Sequence, residues 1–297
     1  MSQRIDPIES EILIPEIQIL PARAKFLARG DVFADEIGMN LRGDFRNKYF
    51  ESISRDSRRG LNDGLRGVDR WVDLGGENKN PDFKENNLGH VIGLLQWCNE
   101  IEDRFPSLKN AITGGSEEKW QELLMMLIMH DIGEIAVGDL CRAHPDFSNK
   151  LGKIHKRKEF LASLSMLAKY APPAIAAQLR SLYIRFDHRL PDDVLVNFGH
   201  TLDKCQADAT AAREIIPYNC GNDGAFNNPD RAYDRECSGI SYAEKAARGI
   251  SDKQARVQLA EFILEKVVAE YDKINIPAIG AIQSRVRDRI RANIIEL

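Results

Sequence analysis

At 297 residues, the chain has room for one large domain, or for one domain with appended helices. A hydrophobic content of 43% can supply a core, and a net charge of −4 gives no global electrostatic case for nucleic-acid binding. The five cysteines, at 98, 141, 205, 220 and 237, form no Cys-x-x-Cys and read as reduced thiols of a cytoplasmic protein; the first ten residues do not read as a signal peptide, and no apolar run is long enough to span a bilayer.

Residues 1–61 read as an N-terminal helical extension packing on the main body, with a dimerisation or lid element as the alternative. Ile12 to Leu20 carries Pro15 among isoleucines and starts extended, Pro21 to Leu41 has helical spacing, and Arg46 to Arg59 is charged around Tyr49 and Phe50. Residues 62–216 read as the core. Within 66–85 an apolar start turns into a polar loop that carries Arg70 and Trp71. Arginine can grip a phosphate bidentately and indole can stack on a base, while a solvated arginine beside a core tryptophan explains the pair equally.

Asn86 or Asn87 caps a helix that runs to about Glu102, with an apolar stripe at Val91, Leu94, Leu95 and Cys98. His90 lies in its first turn beside that stripe, suited to core packing or to metal ligation as a neutral imidazole. Gly114 and Gly115 then break the chain. Ser116 caps the next helix, Glu117 and Glu118 sit at the positive end of its dipole, and the run Leu123–Met129 is apolar nearly all round, which predicts burial on most sides. At its end stand His130 and Asp131, with Glu134 one turn on and Asp139 after Gly138. Buried carboxylates and imidazole need partners, and a divalent ion is one; a capped helix end is the plainer alternative.

Further helices are expected over 149–170, from Pro172–Pro173 to about Phe186, and over 191–216, with a turn at Asp187–Pro191. On the third of these, Asp203 lies beside an apolar face of Val194, Leu195, Phe198, Leu202 and Cys205, paired there with a cation or a metal; His200, one turn earlier, reads first as exposed, with a ligand or a group supporting the ligands as the alternatives. Residues 217–297 read as a long Asn/Gly/Asp-rich loop to 240 and C-terminal helices over 241–274 and 279–295 packed on the core. Arg285, Arg287, Arg289 and Arg291 form a solvated face of the last helix.

His90, then His130–Asp131 forty residues later, then Asp203 seventy-two residues after Asp131, follow the H…HD…D order. In Gly89-His90, Met129-His130-Asp131-Ile132-Gly133-Glu134 and Leu202-Asp203-Lys204-Cys205 the chain resembles the HD-domain metal-dependent phosphohydrolases. Through Glu134, Gly138-Asp139-Leu140 and the Arg70-Trp71 pair it resembles their bacterial 5'-deoxynucleotidase branch. The resemblance covers about residues 62–215. Gly89 stands where that branch usually has an acidic residue, and the loop from Trp71 to His90 is longer than usual.

This resemblance implies an all-α HD-domain helical bundle with additional N- and C-terminal helices. It implies one divalent ion (Mn²⁺, Co²⁺, Fe²⁺ or similar) on His90, His130, Asp131 and Asp203, with open positions for water and substrate. It also implies Glu134 and Asp139 as acid/base and water-positioning carboxylates, and Arg70, Trp71 and, more loosely, Asp187 around a nucleotide substrate. His144, His155 and His188 lie between Asp131 and Asp203 but in no paired motif, so one ion is expected rather than two. The expected activity is a phosphohydrolase acting on nucleoside, and by branch deoxynucleoside, 5'-monophosphates. A dNTP triphosphohydrolase, a phosphodiesterase and a non-catalytic nucleotide sensor are the alternatives. Neither a membrane nor a nucleic acid is an expected partner; the extra helices offer surface for a homodimer.

Overall fold

The computed structural model describes residues 36–42, 48–70, 80, 82–139, 150–219, 238–274 and 277–297. Among them the chain is all-α, with one isolated antiparallel bridge, Asp69 to Asn86. No helix among the described residues is long and apolar enough to cross a membrane.

Among the described residues, three helices come first: α1 (Glu36–Asn40), α2 (Lys48–Ser52) and α3 (Arg55–Arg66). The site is framed by α4 (Asn87–Arg104), α5 (Pro106–Thr113), α6 (Glu117–Met129) and the short α7 (Glu134–Val137). Next come α8 (Lys150–Tyr170), α9 (Pro173–His188), α10 (Val194–Glu214) and α11 (Ile216–Asn219). The C-terminal part holds α12 (Ser238–Arg248), α13 (Lys253–Ile263), a π turn at Leu264–Val268, α14 (Ala269–Asp272), α15 (Pro277–Ile290) and a second π turn at Arg291–Ile295.

Local chemistry sets the boundaries that matter. The Asn86 side chain accepts from Gly89 N at 2.9 Å and caps α4, while Asn87, the other candidate cap, turns inward. Ser116 caps α6 through Lys119 N at 3.3 Å, and Asp193 caps α10 through Val196 N at 3.1 Å, so α10 begins at Val194 rather than at Pro191. Every residue of α6 from Leu123 to Met129 is buried, as the unbroken apolar run requires.

One apolar core runs from Ile37 to Ile295. α10 packs on α4, α6 and α12. The α10–α12 contact is close because Gly239 has no side chain: a Cβ there would lie 2.8 Å from Cys205 N.

Three expectations are corrected. The span 241–274 is not one helix, because α12 ends at Arg248 and α13 starts afresh from the Asp252 cap. His200 is buried, not exposed: its ring stacks on Phe186 with centroids 4.0 Å apart, and Nε2 donates to Phe186 O at 2.9 Å. Of the C-terminal arginines, Arg285, Arg287 and Arg291 are exposed as expected, but Arg289 is half-buried and pairs with Glu244 at 2.8 Å, where α15 packs on α12.

Candidate metal centre

Three helices deliver the expected donors to one point: the first turn of α4 carries His90, the end of α6 carries His130 and Asp131, and the middle of α10 carries Asp203. His90 Nε2 lies 3.3 Å from His130 Nε2 and 3.3 Å from Asp203 Oδ1. His130 Nε2 lies 3.0 Å from Asp131 Oδ2 and 3.6 Å from Asp203 Oδ1, and His90 Nε2 is 4.0 Å from Asp131 Oδ2. His90 is fully buried and the other three are nearly so.

The donor chemistry fits a divalent ion. Donors bonded at about 2.1 Å stand roughly 3.0–3.4 Å apart around an octahedral or tetrahedral ion; His90, His130 and Asp203 come close to that at 3.3–3.6 Å, while Asp131 Oδ2 lies 3.0 Å from His130 Nε2 and 4.0 Å from His90 Nε2. His130 Nδ1 is 2.7 Å from Leu127 O and must donate to it, and His90 Nδ1 is held by Gln206 Oε1. Both Nε2 atoms therefore carry lone pairs, and they face each other across 3.3 Å. Two lone pairs so placed, with two carboxylates beside them, need a cation between them.

In the protein alone, a proton takes that role. Burial disfavours a charged His130, but Asp131 and Asp203 outweigh it and raise its pKa to about 10. Burial and the Arg70 guanidinium push His90 the other way, toward the neutral ring. Asp131 and Asp203 sit well below the ordinary carboxylate range: burial opposes ionisation, but His130 and Arg70 overcome it for Asp131, and Lys204 and His130 for Asp203. Lys204 Nζ lies 2.6 Å from Asp203 Oδ2.

Arg70 is carried to the site by backbone pairing. Its N–H donates to Glu85 O at 2.9 Å, and Asn87 N donates to Val68 O at 3.0 Å, so the chain after α3 lies along the start of α4. Arg70 Nη1 then reaches Asp131 Oδ2 at 3.0 Å, and Nε stands 3.4 Å from Glu85 Oε2. Trp71 lies outside the described residues. Asp187 is exposed near the end of α9, where its charge raises the pKa of the Tyr183 hydroxyl after burial and Glu159.

Glu134 is buried at the start of α7, its Oε2 accepting from Asn87 Nδ2 at 2.8 Å. Burial, then Asp131, Asp139 and Glu159, hold its carboxyl well above the usual range, so the neutral acid is favoured. Asp139 follows Gly138, a half-buried group close enough for its charge to act on both Glu134 and Arg70. Beyond it, α8 adds Lys156 and Glu159, paired at 2.7 Å, with Lys156 Nζ 3.8 Å from Glu134 Oε1. Asp131, Glu134 and Glu159 form a second acidic group there.

Asn87, Glu159 and Gln206 are not legible as site residues: Asn87 reads as a cap, Glu159 as part of a charged helix, and Gln206 carries no motif. Lys156 lies in the stretch Lys150 to Lys158, which reads either as cations near the pocket for a substrate with more phosphates or as a solvated helix start. The one available signal was that Gln206 follows Asp203 by three residues and so shares its helical face.

No curated protein and no solved structure matches the chain. Residues 115–218 match the family model described as HD domain. That span contains His130, Asp131 and Asp203, while His90 and Arg70 lie outside it and are joined to it by the geometry above. Residues 115–218, about a third of the chain, are thus similar to the HD domain, and His90, His130 and Asp203 form a group that could hold a metal ion.

Proposed function

We propose that the protein hydrolyses the phosphomonoester of nucleoside 5'-monophosphates, with deoxynucleotides preferred, at the centre formed by His90, His130, Asp131 and Asp203. The observation that carries this reading is the Arg70–Asp131 ion pair: it brings the arginine of an Arg-Trp pair, sixty-one residues away in sequence, against the donor set. A planar guanidinium there suits one bidentate phosphate.

A divalent ion on the four donors would supply Lewis acidity toward water and a phosphoryl oxygen. Arg70 holds the phosphate oxygens and offsets their charge. Water adds to phosphorus as the bond to the 5'-oxygen breaks, releasing orthophosphate and nucleoside. Glu134, held toward its neutral form, gives its proton to the departing 5'-oxygen and recovers one from the attacking water. Asn87 keeps one Glu134 oxygen engaged, Asp139 orients the water, and Trp71 and Asp187 flank sugar and base. The protein works in the cytoplasm, where such substrates are found, and the C-terminal helices offer surface for a homodimer.

A second reading, hydrolysis of a nucleoside triphosphate, is favoured by Lys156, a half-exposed cation beside Glu134 that a longer phosphate chain would meet. The test is product identification with Mn²⁺-loaded protein and a panel of ribo- and deoxyribonucleoside mono- and triphosphates. Orthophosphate from monophosphates, fastest with deoxy sugars, is the expected result. Tripolyphosphate from triphosphates would replace this reading by the second, and no turnover of any nucleotide would refute both.

A further inference from the structure

The hold on His90 depends on a contact between α4 and α10 that the H…HD…D pattern does not contain. His90 Nδ1 faces Gln206 Oε1, 116 residues away in sequence. An amide oxygen only accepts, so the ring nitrogen it meets is the protonated one, and Nε2 is left with its lone pair toward His130 Nε2 and Asp203 Oδ1. Gln206 lies on the same face of α10 as Asp203, one turn on, so one helix contributes both a donor and the group that orients another donor.

Room for that amide comes from α4. Gly93 stands one turn after His90 on the same face, and a Cβ there would lie 2.5 Å from Gln206 Nε2 and 3.6 Å from its Cδ. Glycine is otherwise unfavourable inside a helix, and Gly93 lies well within α4. Its absence of a side chain is what lets the amide lie under the imidazole.

We propose that Gln206 is a positioning residue for the metal centre: its Oε1 fixes the His90 tautomer and ring orientation, and Gly93 makes the space in which it does so. The proposal rests on the donor set being a metal site. Loss of a partner that orients a ligating imidazole typically lowers metal affinity about 10–100-fold. Gln206→Leu removes the acceptor and leaves Nδ1 without a partner. Gly93→Ala retains Gln206 but drives its amide away, while improving the helix propensity of α4. Gln206→Glu keeps an acceptor at the same reach.

The experiment is calorimetric titration of Mn²⁺ into chelator-stripped full-length protein and the three variants, with circular dichroism to verify that each is folded. The expected result is an affinity about 10–100-fold weaker in Gln206→Leu and in Gly93→Ala, and within about threefold of the unaltered protein in Gln206→Glu. Unchanged affinity in folded Gln206→Leu, or equal losses in Gln206→Leu and Gln206→Glu, would overturn the proposal while the metal centre stands. Failure of the unaltered protein to bind Mn²⁺ would overturn the metal centre, and the proposal with it.

Discussion

Replacing Gly133 with alanine should destabilise the protein by about 1–2 kcal/mol, against the usual sign for a glycine in helical conformation. Gly133 has φ −66° and ψ −29°, which alanine adopts freely, and such a change ordinarily stabilises by about 0.5–1 kcal/mol. Here the added Cβ would lie 3.0 Å from the carbonyl carbon of Glu159, and closer still to that carbonyl's oxygen and to Ser163 Oγ. These atoms cannot swing aside independently: Ser163 Oγ donates to Glu159 O at 3.0 Å, and the carbonyl is backbone of α8. Ordinary contact begins at 3.4 Å, so α8 must retreat by about 1 Å. Overpacking of this kind costs about 1–3 kcal/mol, of which the propensity gain offsets only part. Urea unfolding followed by circular dichroism would read the change as a lower midpoint at unchanged slope. Gly89→Ala is the control: its Cβ would meet only Asn86 Oδ1 at 3.6 Å, so stability should stay within about 0.5 kcal/mol. A Gly133→Ala midpoint equal to or above that of the unaltered protein would refute the close-packing argument.

Other outcomes follow from the site. Glu134→Gln should keep Mn²⁺ bound while hydrolysis falls about 10²–10⁴-fold; retained turnover would remove Glu134 from proton transfer. In metal-free protein, the raised His130 pKa contributes stability that is complete below about pH 6.5 and lost as pH rises toward 10, so the melting temperature should fall across that range. Because an ion must displace the same proton, Mn²⁺ affinity measured by titration should rise by up to about tenfold per pH unit there, and a flat profile would contradict the assignment. His200 shifts in the opposite direction: burial, aided by Arg189, lowers its pKa to about 3. The unfolded chain therefore binds a proton below about pH 6.5 that the native state refuses, and stability falls toward pH 3. In His200→Phe that acid slope, read from urea midpoints, should be shallower.

The all-helical fold is legible because it rests on local signals, whereas the candidate ligands are singled out by the H…HD…D order, of which the fold brings His90, His130 and Asp203 into one group. The Leu123–Met129 run can be satisfied only by burial, and His130–Asp131 at its end needs partners, which the start of α4 and the middle of α10 supply. His200 was misread because helical spacing places it one turn from Asp203 but says nothing of the stacking on Phe186 that buries it. The roles of Asn87 and Gln206 were invisible for a related reason. Each is a common polar residue whose meaning comes from a partner 47 or 116 residues away. Gly93 and Gly133 carry no pattern either, since what they accommodate lies on another helix. The break between α12 and α13 depends on a cap at Asp252 rather than on apolar periodicity, which continues through it.

The central claim is that His90, His130, Asp131 and Asp203 hold one divalent ion. Its most direct test is anomalous diffraction from a crystal of the protein soaked in Mn²⁺. The account predicts a single strong peak between the two Nε2 atoms, about 2.0–2.3 Å from both nitrogens and from an oxygen of each aspartate. No peak at that point, or a peak held instead by Asp131, Glu134 and Glu159 alone, would contradict it.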